Sequence, residues 1–365
     1  MKKLLKRLSV IIALVMALSF MGCNPTPPDE GNVEIKNIIL LIGDGMGTEH
    51  IKAGSLVKDG GLYLETLPNR VLVETRSNNQ ETTDSSAAAT AIATGVRINN
   101  GSVGVTPDGE ELRTIVDIAS ELGKLTGIIT TEELDGGTPM AFSAHNPNRR
   151  LPEQLSISAA QTSNVNLFLS TASYKNIFSQ YYTYIDDVDK VSSAMDDKII
   201  GNFKMNATAE SGAKDSFDRM ITEAIEYLSQ GDEGFFLMAE GAHIDHGGEQ
   251  QDIEYMLREL LAFDLGVKAA VEWAKQREDT IVLVTADHNT GGLVLAENAT
   301  KENLFDLDND NNPINYEWTV LGHSPLDVYL YLYGITIDYL DYSSFESESR
   351  IKNIDIFTIM NDLFS

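Results

Sequence analysis

Ile38-Ile39-Leu40-Leu41-Ile42 runs without a break into Gly43-Asp44-Gly45-Met46-Gly47, and the rest of the chain is read outward from that junction. A strand with one face in water alternates apolar and polar residues. An unbroken aliphatic run instead marks a strand buried on both faces, as in a parallel sheet covered by helices. Runs of similar character recur at 71–73, 127–130, 165–169, 235–239 and 281–285. Between them the apolar spacing is helical at 111–122, 216–228 and 254–275, with a last such pattern at 351–363. This alternation predicts an α/β fold, a three-layer sandwich with a mainly parallel central sheet and helices on both faces. In that architecture, sites form where the strands end at their carboxyl termini.

Three strand ends carry the same kind of chemistry. The first reaches Asp44, the run at 235–239 reaches Glu240-Gly241-Ala242-His243-Ile244-Asp245-His246, and the run at 281–285 reaches Ala286-Asp287-His288. Taken singly, Asp44 reads as a turn cap, Glu240 as a surface acid and Asp287-His288 as a loop pair. Brought to one sheet edge they repel one another, and a bound divalent cation is the natural remedy.

Composition narrows the choices. The chain has 365 residues, 42% hydrophobic, with 27 Lys+Arg against 55 Asp+Glu and a net charge of −28. Such a charge repels a phosphate backbone, so nucleic acid as a polymer partner is disfavoured, and an anionic substrate must be held locally by metal or Arg. With Cys23 as the single cysteine there is no intrachain disulfide and no thiolate metal cage. Metal ligands must come from Asp, Glu, Ser/Thr and the histidines.

Residues 1–22 carry Lys2, Lys3, Lys6 and Arg7 followed by an apolar run, the layout of a secretory signal peptide. Phe20-Met21-Gly22-Cys23 is similar to the cleavage box of bacterial lipoproteins, which predicts lipidation of Cys23. The stretch 23–33, with Pro25, Pro27 and Pro28, reads as a tether, and 34–365 as a single domain. The expected location is the cell envelope, with membrane contact through the lipid alone.

A further signal is Asp84-Ser85-Ser86-Ala87-Ala88-Ala89-Thr90, in which Asp84 is a natural helix N-cap and Gly95 can close the helix. Ser85 then stands at the positive end of the helix dipole, where its hydroxyl can attack phosphorus. Downstream lie Thr138-Pro139, His145 and Arg149-Arg150, one of the arginines suited to clamp phosphate oxygens.

With these pieces assembled, the chain from Ile39 to His323 resembles the bacterial alkaline phosphatases. The matching motifs are Asp44-Gly45-Met46-Gly47, Thr83 to Thr90, Thr94-Gly95-Val96, Asn100-Gly101, Thr138-Pro139 with Arg149, Glu240-Gly241 with Asp245, Thr285 to His288, and Gly322-His323. They stand in the family's order. The resemblance implies an alkaline phosphatase-like fold, Ser85 as nucleophile forming a phosphoserine intermediate, and Arg149 as the phosphate clamp. It implies two Zn and one Mg. One zinc would be held by Asp44, Ser85, Asp287 and His288, the magnesium by Asp44, Thr138 and Glu240, and the other zinc by Asp245, His323 and one more side chain.

Three positions depart from the family pattern. Thr82 replaces an aliphatic residue at the edge of the nucleophile motif. Gly136 stands two residues before Thr138, where relatives often carry Asp or His. Glu249 aligns with the second zinc histidine, so it is the expected third ligand, with His246, His243 or water as alternatives.

The run Asp306, Asp308, Asp310, Asn311 and Glu317 echoes a calcium loop but lacks its glycine, and reads as a solvated acidic loop. His50 and His145 read as packing or surface residues, and Tyr329, Tyr331 and Tyr333 as one strand. The sequence therefore predicts hydrolysis of small phosphate monoesters by a monomer or homodimer. A phosphodiesterase of the same superfamily and a non-catalytic phosphate-binding lipoprotein are the alternatives. A sulfatase is disfavoured because Ala87 and Ala89 follow Ser85.

Overall fold

The computed structural model describes residues 34–204, 215–301, 304, 315–335 and 350–365. The expected signal peptide, Cys23, the tether up to residue 33 and positions 306–314 of the acidic loop lie outside the described residues.

The Asn37–Gly43 strand is buried at all seven positions and is flanked in parallel by Phe235–Gly241 and Thr280–Thr285. Register aligns Ile42 with Glu240 on one side and Thr285 on the other, so the three strands end level. Around this centre a ten-stranded sheet runs Arg350–Lys352, Asn69–Glu74, Val328–Tyr333, Thr280–Thr285, Asn37–Gly43, Phe235–Gly241, Leu125–Thr130, Leu167–Ser170, Ile199–Asn202, Thr183–Ile185. Every described pairing in it is parallel except those made by Val328–Tyr333.

Helices cover both faces. Side chains alternate across a strand, and adjacent Phe235 and Phe236 pack against Trp273 and Phe142 respectively. One helical layer contains Ile253–Ala274, which packs on Phe217–Leu228 and Thr48–Val57; the other contains Ser85–Thr94, which packs on Asn353–Leu363. Among the described residues no helix is long and apolar enough to cross a membrane.

Several boundaries differ from the sequence reading. The run expected at 165–169 pairs only over Leu167–Ser170. The helix expected from 111 starts at Ile115, where Thr114 and Asp117 form a capping box, while Glu111 bridges back to Val105. Ile351 belongs to the Arg350–Lys352 strand beside Asn69–Glu74, and the last helix starts at Asn353. Val328–Tyr333 is a strand as expected, with Tyr331 buried and Arg70 4.7 Å above the Tyr329 ring. His50 is a packing residue beside Trp318 whose Nδ1 accepts from Gly47 N–H, and His145 bonds Leu112 O at 2.9 Å.

Candidate active site

Asp44, Glu240 and Asp287 meet where the level strands end. Gly45 turns the chain at φ +72°, and a Cβ there would stand 2.7 Å from Asp245 Cα, so glycine allows the two loops to touch. The Gly45 and His288 N–H groups both donate to Asp287 Oδ1, at 3.1 and 2.8 Å. This anchors one carboxylate oxygen and leaves Oδ2 buried without a hydrogen-bond partner. Glu240 follows the same pattern: the Thr130 hydroxyl donates to Oε2 while Oε1 has none. Asp44 Oδ1 and the Thr138 hydroxyl are likewise buried and unpaired.

Hydrogen bonding sets the tautomer of each histidine. The Thr290 hydroxyl donates to Asp245 Oδ1 and so accepts from His288 Nδ1–H, 3.2 Å away. His288 Nε2 therefore turns its lone pair toward Asp287 Oδ2 at 3.1 Å, Ser85 Oγ at 3.3 Å and Asp44 Oδ1 at 3.5 Å. His323 Nδ1 donates to Thr83 O at 2.9 Å, so its Nε2 presents a lone pair 3.6 Å from Asp245 Oδ1. The His288 and His323 rings stack with centroids 3.6 Å apart. One ring nitrogen fixed by a hydrogen bond, to a hydroxyl for His288 and to a backbone carbonyl for His323, while the other faces carboxylates, is the arrangement of a metal-ligating histidine.

Lone pairs and unpartnered carboxylate oxygens facing each other at 3.1 to 3.5 Å repel unless a cation lies between them. Two convergent groups result, Asp44–Asp287–His288 and Asp245–His288–His323. Burial, then the charges of Asp287, Asp245, Glu240 and Glu132, drives the Asp44 carboxyl well above its usual range. Burial and then Glu132 do the same to Glu240, and burial raises Asp287. Burial and then His323 lower His288 to about 3, so its imidazole is neutral and able to ligate. The donor sets fit the expected ions: nitrogen plus carboxylate at His288 suits zinc, and the all-oxygen set Asp44, Thr138 and Glu240 suits magnesium.

Ser85 is the first residue of the Ser85–Thr94 helix, 8% exposed. Its N-cap Asp84 accepts from Ala87 N–H at 2.9 Å and from Gly101 N–H at 2.7 Å. Asp84 Oδ2 also lies 3.5 Å from Arg149 Nη1, and the Arg149 N–H donates to Gly101 O. Asp84, Gly101, Asn148, Arg149 and Arg150 line a cavity of about 620 Å³. The guanidinium of Arg149 and the N-cap Asp84, next to Ser85 in the chain, thus border one polar cavity.

Four of the His and carboxylate candidates stand outside both groups: Glu240, Glu249, His243 and His246. Glu249 ends the His243–Glu249 helix and is exposed. His243 and His246 stack on each other at 4.8 Å and face Glu259 and Glu132, at 3.9 Å each. Sequence reasoning missed Thr130 and Thr290, the hydroxyls that orient Glu240 and Asp245. Thr130 was reachable by examining the end of a fourth strand, Leu125–Thr130, as the other three were. Thr290 lies two residues beyond His288 and carried no signal of its own.

Comparison with known proteins accords with this geometry. The alkaline phosphatase family profile matches residues 35–175 and 170–339. Alkaline phosphatase 4 of Bacillus subtilis (strain 168) is 32% identical over 303 residues, covering 74% of this chain and 65% of the relative. Alkaline phosphatase 3 of the same organism is 32% identical over 332 residues, covering 80% and 71%. The solved structure of alkaline phosphatase from the Antarctic bacterium TAB5 superposes with a TM-score of 0.76 at 26% identity, covering 91% of this chain and 98% of that one.

Proposed function

The chain belongs to the alkaline phosphatase family, and from that premise we propose that it hydrolyses small phosphate monoesters through a phosphoserine intermediate on Ser85. The observation that carries this reading is Ser85 Oγ placed 3.3 Å from the His288 Nε2 lone pair, at a helix N-terminus and beside the cavity that Arg149 lines.

Arg149 binds the phosphate oxygens and fixes the phosphorus opposite Ser85. Ser85 Oγ forms a bond to phosphorus as the ester P–O bond breaks, and the alcohol leaves with a proton. The helix N-terminus favours the negative charge carried by the phosphoserine. Water then attacks the same phosphorus, the Oγ–P bond breaks, and inorganic phosphate departs. Asp44, Asp287, His288 and Ser85 would hold one zinc, Asp245 and His323 the other, and Asp44, Thr138 and Glu240 a magnesium. What these ions supply when bound is positive charge beside the attacking and leaving oxygens. A variant of the TAB5 enzyme has been solved with Mg bound in its M3 site, which supports the magnesium assignment. Glu249 stands at the exposed end of its helix, so Asp245 and His323 would need a further group to complete that zinc's ligand set.

The same proposal includes export by the signal at 1–22 and anchoring by lipid on Cys23, so Cys23→Ser would release active enzyme from membranes. The test is metal analysis of purified protein beside monoester and diester assays. Zinc and magnesium near two and one per chain with monoester turnover support the reading. Bound metal without turnover of any ester would replace it with a phosphate-binding role, and preference for diesters with a phosphodiesterase.

A further inference from the structure

Gly136 caps the short helix carrying Thr138 with φ −58° and ψ 159°, a conformation open to any residue. Backbone geometry therefore does not explain the glycine. Space does: a Cβ at 136 would stand 2.0 Å from Glu132 Oε1. The Glu132 carboxylate occupies the place that a side chain at 136 would take, two residues from Thr138. The backbone of Glu132 is tied to the same cluster through one hydroxyl, because Thr130 Oγ1 accepts from Glu132 N–H at 3.2 Å and donates to Glu240 Oε2. The partner oxygen, Oε2, lies 3.9 Å from His246 Nε2, beyond hydrogen-bond reach. A cavity of about 370 Å³ lined by Glu132, Asp135, Gly136 and His246 among others adjoins the carboxylate.

We propose that Glu132 is a further carboxylate of the magnesium site, acting on the ion through its water shell from the space left by Gly136. Magnesium retains several waters, which need acceptors beyond the direct ligands. Thr138 Oγ1 and Glu240 Oε1, both buried and without a hydrogen-bond partner, are the atoms left for that ion. The inference rests on the magnesium assignment above.

The test is a magnesium titration of zinc-loaded protein, followed by the thermal unfolding midpoint and by calorimetric heat rather than by activity. Glu132→Gln should raise the magnesium dissociation constant on the order of 10 to 100-fold, the usual cost of losing a partner beyond the direct ligands, with zinc content unchanged. Gly136→Ala should weaken magnesium similarly, because its Cβ forces the Glu132 carboxylate aside. Glu132→Ala combined with Gly136→Asp should recover much of the affinity lost in Glu132→Ala alone, since the new carboxylate enters the same place. Unchanged magnesium affinity in both single variants, while Glu240→Gln abolishes binding, overturns the role of Glu132 alone. Wild-type protein that binds no magnesium beside its zinc overturns the magnesium assignment and this inference together. Weaker phosphate binding with unchanged magnesium affinity would also overturn it, assigning Glu132 to Arg149 instead.

Discussion

Replacing Asp84 separates its two tasks. As N-cap it satisfies Ala87 N–H, and it accepts a second, shorter bond from Gly101 N–H. Asp84→Ala removes a cap worth about 1 kcal/mol and strips a loop donor of its acceptor, roughly 1 to 2 kcal/mol more. For a domain of this size, 2 to 3 kcal/mol corresponds to a melting shift of about 3–4 °C. Asp84 also steadies Arg149 through a partly exposed contact at 3.5 Å, a geometry worth under about 1 kcal/mol. Phosphate-ester kcat/KM should therefore fall only about 3 to 5-fold from this cause. Asp84→Asn keeps a carbonyl oxygen for the Ala87 cap but puts an amide NH2 where Oδ2 accepted from Gly101 N–H, and it loses the charge, so it should recover only the cap's share, about 1 kcal/mol, relative to Asp84→Ala and still show the kinetic loss. The assays are thermal unfolding and steady-state kinetics on both variants. Equal destabilisation by Asn and Ala, or an Ala variant with unaltered kcat/KM, would refute this division.

Glu249→Ala should leave zinc stoichiometry intact while Asp245→Asn loses one zinc, measured by elemental analysis; zinc loss in Glu249→Ala would make Glu249 a ligand. Gly137→Ala should weaken inhibition by inorganic phosphate, because its Cβ would lie 3.0 Å from both Arg149 Nη2 and Ser86 N; an unchanged inhibition constant would mean Arg149 does not rest against Gly137 in the working enzyme. Burial raises buried Glu259 to about 7, so its favourable contribution is complete below the unfolded value near 4.5 and is lost as pH rises through about 7. Glu259→Gln should thus gain stability relative to wild type between pH 5 and pH 8, and a difference in melting temperature constant with pH would contradict that.

The central strands were readable because burial on both faces leaves an unbroken aliphatic run, as at Asn37–Gly43. Thr183–Ile185 and Ile199–Asn202 were not, being short strands toward the sheet edge that pairing rather than composition defines. Ile351 matched a helical period and yet pairs with Val73, a long-range contact invisible to local spacing. At the site, ligand types and strand-end positions were legible, while orientation was not. His288 and Asp287 are adjacent in sequence whatever their rotamers, but the direction of the Nε2 lone pair depends on the Thr290 hydroxyl. Glu132 was unreadable for the same reason, because only the fold places its carboxylate over Gly136.

Covalent catalysis by Ser85 can be read out by an acid quench during turnover of a ³²P-labelled monoester followed by peptide mapping. Acid-stable label is expected on the peptide containing Ser85, lost together with nearly all turnover in Ser85→Ala, whose fold and melting behaviour persist. Label on another residue, or a Ser85→Ala variant turning over near the wild-type rate, would contradict it.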